Sequence, residues 1–361
     1  MEVFLDSGAF SAFTRKTEIP IDEYIDYVKE NLEYIDYYAN LDVIGDQPQT
    51  YKNWVYMKKK GLDPMPVFHA GRNRNPKHLQ HYLEEAEYIA LGAIAKMNTA
   101  ERIRNLDNVW YSLTNNEGLP LVKVHGFGLT SFPLMERYPW FSVDSMAWVL
   151  QGGSYGHMWF PYYDKDRKEF DFSIPPITAD VGRLAIDKSC HFWALSNASK
   201  EVVLNYLKHK GFSYGKSEFK HVDITSYRLQ EGELWADRAS GLVEVVIEKG
   251  LCNNHLDRCR HNLCFYIDKY QHSSSDRKFT KRVNPLFGKG ILNLEYMKPI
   301  DVGKLRIFTG GMDSSQAIVL DEFDYEYRLV SYYMLSQKEK DWLKNYVTAR
   351  RKESKNADKE G

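Results

Sequence analysis

Along the first 150 residues, short apolar runs alternate with stretches whose apolar side chains recur every three or four positions. Val3 to Leu5 reads as a buried strand that runs into Asp6-Ser7-Gly8. The segment "IDEYIDYVKENL" (21–32) places Ile21, Tyr24, Ile25, Val28 and Leu32 on one helical face. The same alternation predicts strands in "YIDYYANLDVIG", "PMPVFHAG", "YIALGAIA", "LPLVKVHGFG" and "WFSVDS". Helices are predicted in "PQTYKNWVYMKKKG", "PKHLQHYLEEA", "TAERIRNLDNVWYSL" and "FPLMERY". Strict strand–helix alternation means parallel strands joined by right-handed crossovers.

Six such units at roughly 25-residue spacing favour a (β/α)8 TIM-like barrel over an open sheet. Since the first motif starts at residue 6, the strand beside it has to come from later in the chain, and 304–309 is the expected candidate. Past residue 150 the rhythm breaks. "QGGSYGHMWFPYYDKDRKEFDFSIPPI" reads as loop, while "ASKEVVLNYLKHKGF" and "NNHLDRCRHNLCFYIDKYQ" read as helices. The expected organisation is therefore the first part of a catalytic barrel over 1–160. The remainder of the barrel, with helical, basic, nucleic-acid-binding insertions, follows over 161–345, and a charged flexible tail over 346–361.

Composition changes this picture little. The 361 residues are 43% hydrophobic and 27% charged, ordinary for a globular protein, and no apolar run is long enough to span a membrane. The N-terminus lacks a signal-peptide pattern, and four cysteines make no disulfide framework, so a reduced cytoplasmic location is expected. Aromatic residues reach 14%, with 25 Tyr, which points to aromatic-lined grooves as well as core.

Charge is uneven although the net value is −1. Residues 1–50 hold eleven Asp and Glu against Arg15, Lys16 and Lys29, whereas 257–289 holds eight Lys and Arg against three Asp. Arg258, Arg260, Arg277, Lys278, Lys281 and Arg282 in that stretch, with Lys210 and Lys216 in "KHKGFSYGKSEFKH", are the candidate contacts to a phosphate backbone.

The predicted strands end on Asp6, Asp42, His69, Gly92, His125–Gly126 and Asp144. Parallel barrel strands deliver their last residues to one rim, so groups far apart in sequence are expected to converge. Any one of these aspartates alone reads as a capping or turn residue. Two on one rim fit displacement at a sugar carbon, one attacking and the other moving a proton.

These residues resemble a known family. "DSGAFS" is similar to the Asp-Ser-Gly-Gly-Phe-Gln segment of the tRNA-guanine transglycosylases, and "FSVDSMAW" to the segment bearing their nucleophilic Asp. "NLDVIGD", "PVFHAG", "YIALGAIA" and "VHGFG" fall in the order of that family's base-binding strands. The resemblance covers about residues 1–160 and is greatest to the phage-type DNA-guanine transglycosylases, the DpdA-like branch.

The resemblance implies exchange of guanine in DNA for a free 7-deazaguanine base, with tRNA as the alternative polymer. By the same resemblance Asp144 is the nucleophile and Asp6 the general acid/base. Asp42 would hold the purine edge, with Ser7, Gly8, His69, Gly92, His125 and Gly126 around the base. His69 stands where the family often has Gln. A target inside a duplex would have to be flipped out, and the aromatics of "SYGHMWFPYY" are candidates to stack on displaced bases.

No cofactor is required for such an exchange. The family's structural zinc motif, Cys-x-Cys-x2-Cys with a distant His, is absent; Cys252, Cys259 and Cys264 are irregularly spaced, and Cys259 falls on the apolar helix face. A structural zinc on these cysteines with His255, His261, Cys190 or His191 stays open only as the lesser alternative. "FTGGMDSSQ" (308–316) resembles the pyrophosphate loop of ATP-using enzymes, but the 45 residues after it are too few for a nucleotide-binding domain, so it is expected to be a loop beside the closing strand. Two readings from other classes stay open at this level: a non-catalytic base-binding subunit and a barrel glycoside hydrolase.

Overall fold

The computed structural model describes residues 1–71, 75–94, 97–129, 131–144, 146–182, 188–271, 277–280, 298–310, 326–334, 344–345 and 347–349. It divides into two compact units. The first comprises Met1–Ser145, Ser274–Gly310 and Asp324–Gly361, and the second Met146–Ser273 and Gly311–Phe323.

The first unit begins β1 (Glu2–Asp6), α1 (Ala9–Arg15), α2 (Ile21–Asn31), β2 (Tyr37–Tyr38), α3 (Gln47–Lys59) and β3 (Val67–His69). It continues with α4 (Pro76–Glu85), β4 (Tyr88–Gly92), α5 (Thr99–Leu113), β5 (Lys123–Gly126), α6 (Phe132–Arg137) and β6 (Ser142–Asp144). The helices start where side chains can take orphan N–H groups. Asp46 accepts from Gln49 N, Asn75 from Lys77 N and Asn98 from Glu101 N, with Pro76 and Pro48 in the first turns of their helices. After α3 the chain turns at Gly61, whose φ of +84° suits glycine. Apart from α1, which was not expected, each of these elements overlaps an expected one, and β2 is much shorter than the strand expected over 34–45.

The second unit opens with a π-helical segment, Trp148–Tyr155, then β7 (His157–Phe160), β8 (Tyr162–Asp164), β9 (Glu169–Asp171) and β10 (Ile177–Asp180). It adds α7 (Asn197–His209), β11 (Lys216–His221), β12 (Glu233–Asp237), β13 (Leu242–Glu248) and α8 (His255–Gln271). The chain then supplies β14 (Arg306–Phe308) and β15 (Tyr327–Ser331) to the first unit.

The fold is mixed α/β with parallel sheets. One sheet runs β15-β1-β2 and the other β14-β6-β5-β4-β3, every pairing parallel. Strands such as β3 and the centre of β4 are buried throughout, as parallel strands covered on both faces must be. At one pair of edges Ala39 bridges Met65 in parallel; at the other, Thr309 bridges Arg328.

The expectation that 304–309 lies beside the first strand is corrected. Residues 306–308 pair with β6, and β1 takes 327–331 instead, Asp6 opposite Ser331. Consecutive parallel strands lie side by side, so the first strand after the second unit joins β6 and the next reaches β1.

The loop reading of 151–177 is also corrected. It contains β7, β8 and β9, because Met158, Phe160, Ile177 and Ala179 bury themselves with Tyr206, Leu207 and Leu251 in one core. The helical expectation for this region omitted a three-stranded antiparallel sheet, β11-β13-β12. Residues 311–316 of the pyrophosphate-loop-like segment and the tail 350–361 lie outside the described residues.

One histidine in this core carries a testable charge effect. His261 is fully buried against Phe160, Tyr206 and Phe212, and burial holds its pKa down to about 3 against a smaller opposing effect of Asn262. In the unfolded chain it titrates near 6.5. Below that pH the unfolded state takes up a proton that the fold refuses, so stability falls as pH drops from about 6.5 towards 3. His261→Leu should reduce the stability lost between pH 7 and pH 5 by about 2 kcal/mol, read from urea unfolding at the two pH values. An unchanged pH dependence would refute this account of the histidine.

Candidate active site

The strand ends of the first unit bring acidic and imidazole side chains together. Asp6 closes β1, and directly after it Gly8 has a φ of +79°. A Cβ there would lie 2.5 Å from that of Tyr333 and 2.7 Å from Ser331 Oγ, so the chain turns here only with glycine. Ser7 is wholly buried, and its hydroxyl has no hydrogen-bond partner among the described residues. Asp6 itself is pushed up to about 7: burial contributes most, repulsion from Asp144 and then Asp42 adds to it, and the Gly8 and Ser7 N–H groups oppose it.

Asp42 follows β2 and is gripped by two groups on Oδ1: His69 Nε2 at 2.6 Å and the Thr50 hydroxyl, which donates at 2.8 Å. His69 is in turn fixed through its backbone, whose N–H donates 2.5 Å to Gln47 Oε1. Gln47 and Thr50 stand three positions apart on α3, both buried. These polar residues on a buried helix face were missed from sequence; their signal was polarity at core spacing. Asp42 Oδ2 takes no partner among the described residues.

Asp144 closes β6. Its Oδ1 accepts the N–H of Gly128 at 2.5 Å and lies 3.5 Å from His125 Nε2. Gly128 is free to aim that N–H because its φ is +59°. His125 is fully buried, with Nδ1 2.5 Å from Ser142 Oγ, and Ser142 is hydrogen-bonded on to the Tyr88 hydroxyl. The imidazole thus faces Asp144 and the strand interior rather than an open rim. Burial lowers the His125 pKa, against the pull of Asp144.

Gly92 and Gly126 end β4 and β5. A Cβ at Gly126 would press on Trp140 at 3.1 Å and one at Gly92 on Val67 at 3.3 Å, so both permit close packing at the strand ends. Ala93, next to Gly92, adopts φ +60°, a strained conformation for alanine of a kind that clusters at functional sites. The structure therefore brings Asp6, Asp42, His69, His125 and Asp144 to the same ends of neighbouring parallel strands, with Ser7, Gly8, Gly92 and Gly126 beside them.

The basic candidates are dispersed. Arg258 donates to the carbonyls of Gly152, Leu251 and Gly153, Arg260 pairs with Asp257, and Lys210 pairs with Asp268. Arg277 donates to Gly303 O, while Lys216 and Lys278 are exposed. Lys281 and Arg282 lie outside the described residues. Three of these cations, Arg258, Arg260 and Lys210, serve the second unit's own architecture in part.

None of the four cysteines forms a disulfide, and Cys259 is buried in the second unit. Among the described residues no group of three or more His, Cys, Asp or Glu is placed to hold a metal ion, and no helix is long and apolar enough to cross a membrane.

Comparison with protein-family models, with curated proteins and with solved structures returned no match.

Proposed function

We propose that this chain is a base-exchange transglycosylase that replaces guanine in DNA with a 7-deazaguanine base. The observation that carries the reading is electrostatic. Carboxylates at the ends of β1 and β6 and in the loop after β2 stand close enough that Asp144 and Asp42 help lift Asp6 to about 7. A carboxyl group poised there is part acid and part base at neutral pH, as a group that must both give and take a proton requires.

The scaffold we propose is a closed (β/α)8 barrel in the order β1-β2-β3-β4-β5-β6-β14-β15. Two observations support closure: the parallel bridges that join the edges of the two sheets, and a core cluster of Phe4, Val67, Ala90 and Phe308 drawn from strands of both.

In the proposed reaction the Asp144 carboxylate attacks C1′ of the target nucleotide. The bond from C1′ to the base nitrogen breaks, Asp6 gives its proton to the departing guanine, and a glycosyl ester forms on Asp144. The incoming 7-deazaguanine then loses its ring N–H proton to Asp6 and bonds C1′, which expels the Asp144 carboxylate. One base replaces another, so no nucleoside triphosphate is consumed. The free Oδ2 of Asp42 is the acceptor proposed for the purine edge.

The test is exchange itself. DNA or tRNA carrying labelled guanine is incubated with the protein and 7-deazaguanine bases, and released label is measured. Release from DNA is expected. Release from tRNA alone would move the reading to the tRNA enzymes, and release from neither would reject the transglycosylase.

A further inference from the structure

Beneath the carboxylate rim runs a buried polar chain that the exchange reaction does not by itself require: Tyr88, Ser142 and His125. The Tyr88 hydroxyl meets Ser142 Oγ, Ser142 Oγ lies 2.5 Å from His125 Nδ1, and His125 Nε2 lies 3.5 Å from Asp144 Oδ1. Tyr88 and Ser142 come from β4 and β6, on either side of the strand that carries His125.

The direction of these hydrogen bonds follows from counting protons. Burial raises the Tyr88 pKa far above neutrality, so its hydroxyl keeps its proton. Its hydrogen bond is to Ser142, so Tyr88 donates there. Ser142 then has its own proton to give, and His125 Nδ1 is the acceptor in reach. A neutral imidazole that accepts at Nδ1 carries its proton at Nε2, the nitrogen facing Asp144. The reverse order would leave the Tyr88 proton without an acceptor and set an imidazole lone pair against a carboxylate.

We propose that Tyr88, Ser142 and His125 form a proton-ordered relay that presents the His125 Nε2–H to Asp144, which makes them positioning residues for that carboxylate. His125 Nε2 is buried and has no other partner among the described residues, and an unmade buried hydrogen bond is costly. The 3.5 Å contact closes to a hydrogen bond when the carboxylate is drawn in, as catalytic hydrogen bonds commonly tighten in the reacting complex. With the Gly128 N–H on the same oxygen, Oδ1 is held from two sides and Oδ2 is left to react. The catalytic significance of the relay rests on the reading of Asp144 as nucleophile, whereas its proton order does not.

Two measurements test it. In protein labelled with 15N-histidine, NMR should show His125 as the Nε2–H tautomer throughout pH 5 to 8, and Tyr88→Phe or Ser142→Ala should dissolve that single tautomer into a mixture. An Nδ1–H tautomer or an imidazolium in the wild type would overturn the relay. In the exchange assay Tyr88→Phe, which keeps the ring packed against Tyr37 and Phe141, should lower kcat about ten-fold. It should also leave KM for the base unchanged and move the acidic limb of the pH profile upwards. An unchanged kcat and profile in Tyr88→Phe would reject the positioning role. A wild type that holds the Nε2–H tautomer but exchanges no base would uphold the relay and reject the proposed reaction.

Discussion

Replacing Asp144 by Asn is expected to abolish base exchange, lowering its rate by about 10⁴-fold or more, while the protein folds and still binds nucleic acid. Asn suits the test because its carbonyl oxygen can still accept the Gly128 N–H that now reaches Asp144 Oδ1. In the proposed reaction the variant lacks the anionic oxygen that bonds C1′, and the proposal gives each neighbouring carboxylate another task. Asp42 is held on Oδ1 by His69 and Thr50 while its Oδ2 is assigned to the purine edge, and Asp6 is the proposed proton carrier. With acceptor base withheld, the wild type should form a protein–nucleic acid adduct that survives denaturing electrophoresis, and Asp144→Asn should form none. Exchange at the wild-type rate by this variant would remove Asp144 from the chemistry.

The second large effect concerns Asp6→Asn. Removal of the proposed general acid and base in one group is expected to slow exchange by about 10²- to 10⁴-fold. The same change should stabilise the fold at neutral pH, and the sign follows from the raised pKa. The folded protein releases the Asp6 proton near pH 7, the unfolded chain near 4. Between those values the folded state holds the extra proton, so wild-type stability falls as pH rises through the window. Asparagine has no proton to lose. The stability difference in favour of the variant should therefore grow from pH 4 and level off above pH 7 at about 3–4 kcal/mol. Urea unfolding of both proteins at pH 4.5 and 8 measures it. A variant less stable than the wild type at pH 8 would mean that Asp6 is held by favourable contacts and not strained by its neighbours. Lost exchange with gained stability is the joint result expected of a catalytic carboxyl group kept where folding alone would not keep it.

Much of the first unit could be read along the chain. Its strands bury both faces and its helices one, so the six strand–helix units stand out as apolar runs alternating with helical periodicity. Five of the six ends, Asp6, His69, Gly92, Gly126 and Asp144, were legible for the same reason, since polar or glycine positions there break each apolar run, whereas Asp42 lies four residues past the end of β2.

Other features were not legible. The strand expected over 34–45 shrinks to Tyr37–Tyr38, because its extent is set by hydrogen bonds to β1 and not by any pattern of its own. The strands of 157–180 hide among Gly, Pro and aromatic residues, because antiparallel pairing and a shared core with Tyr206 and Leu251 select them.

Sequence by itself determined the alternation, the parallel arrangement and the identity of the carboxylates, since each depends on neighbours within a few residues. Only tertiary structure decided which late strand stands beside Asp6, because 306–308 and 327–331 are both short apolar runs and the order of sheet edges alone separates them. It likewise decided that Asp6 titrates near 7, that Thr50 and His69 grip Asp42, and that His125 turns to Asp144. Those are properties of distance between residues far apart in the chain. Charge repulsion and hydrogen bonding act through a few ångströms of space, whatever number of residues lies between.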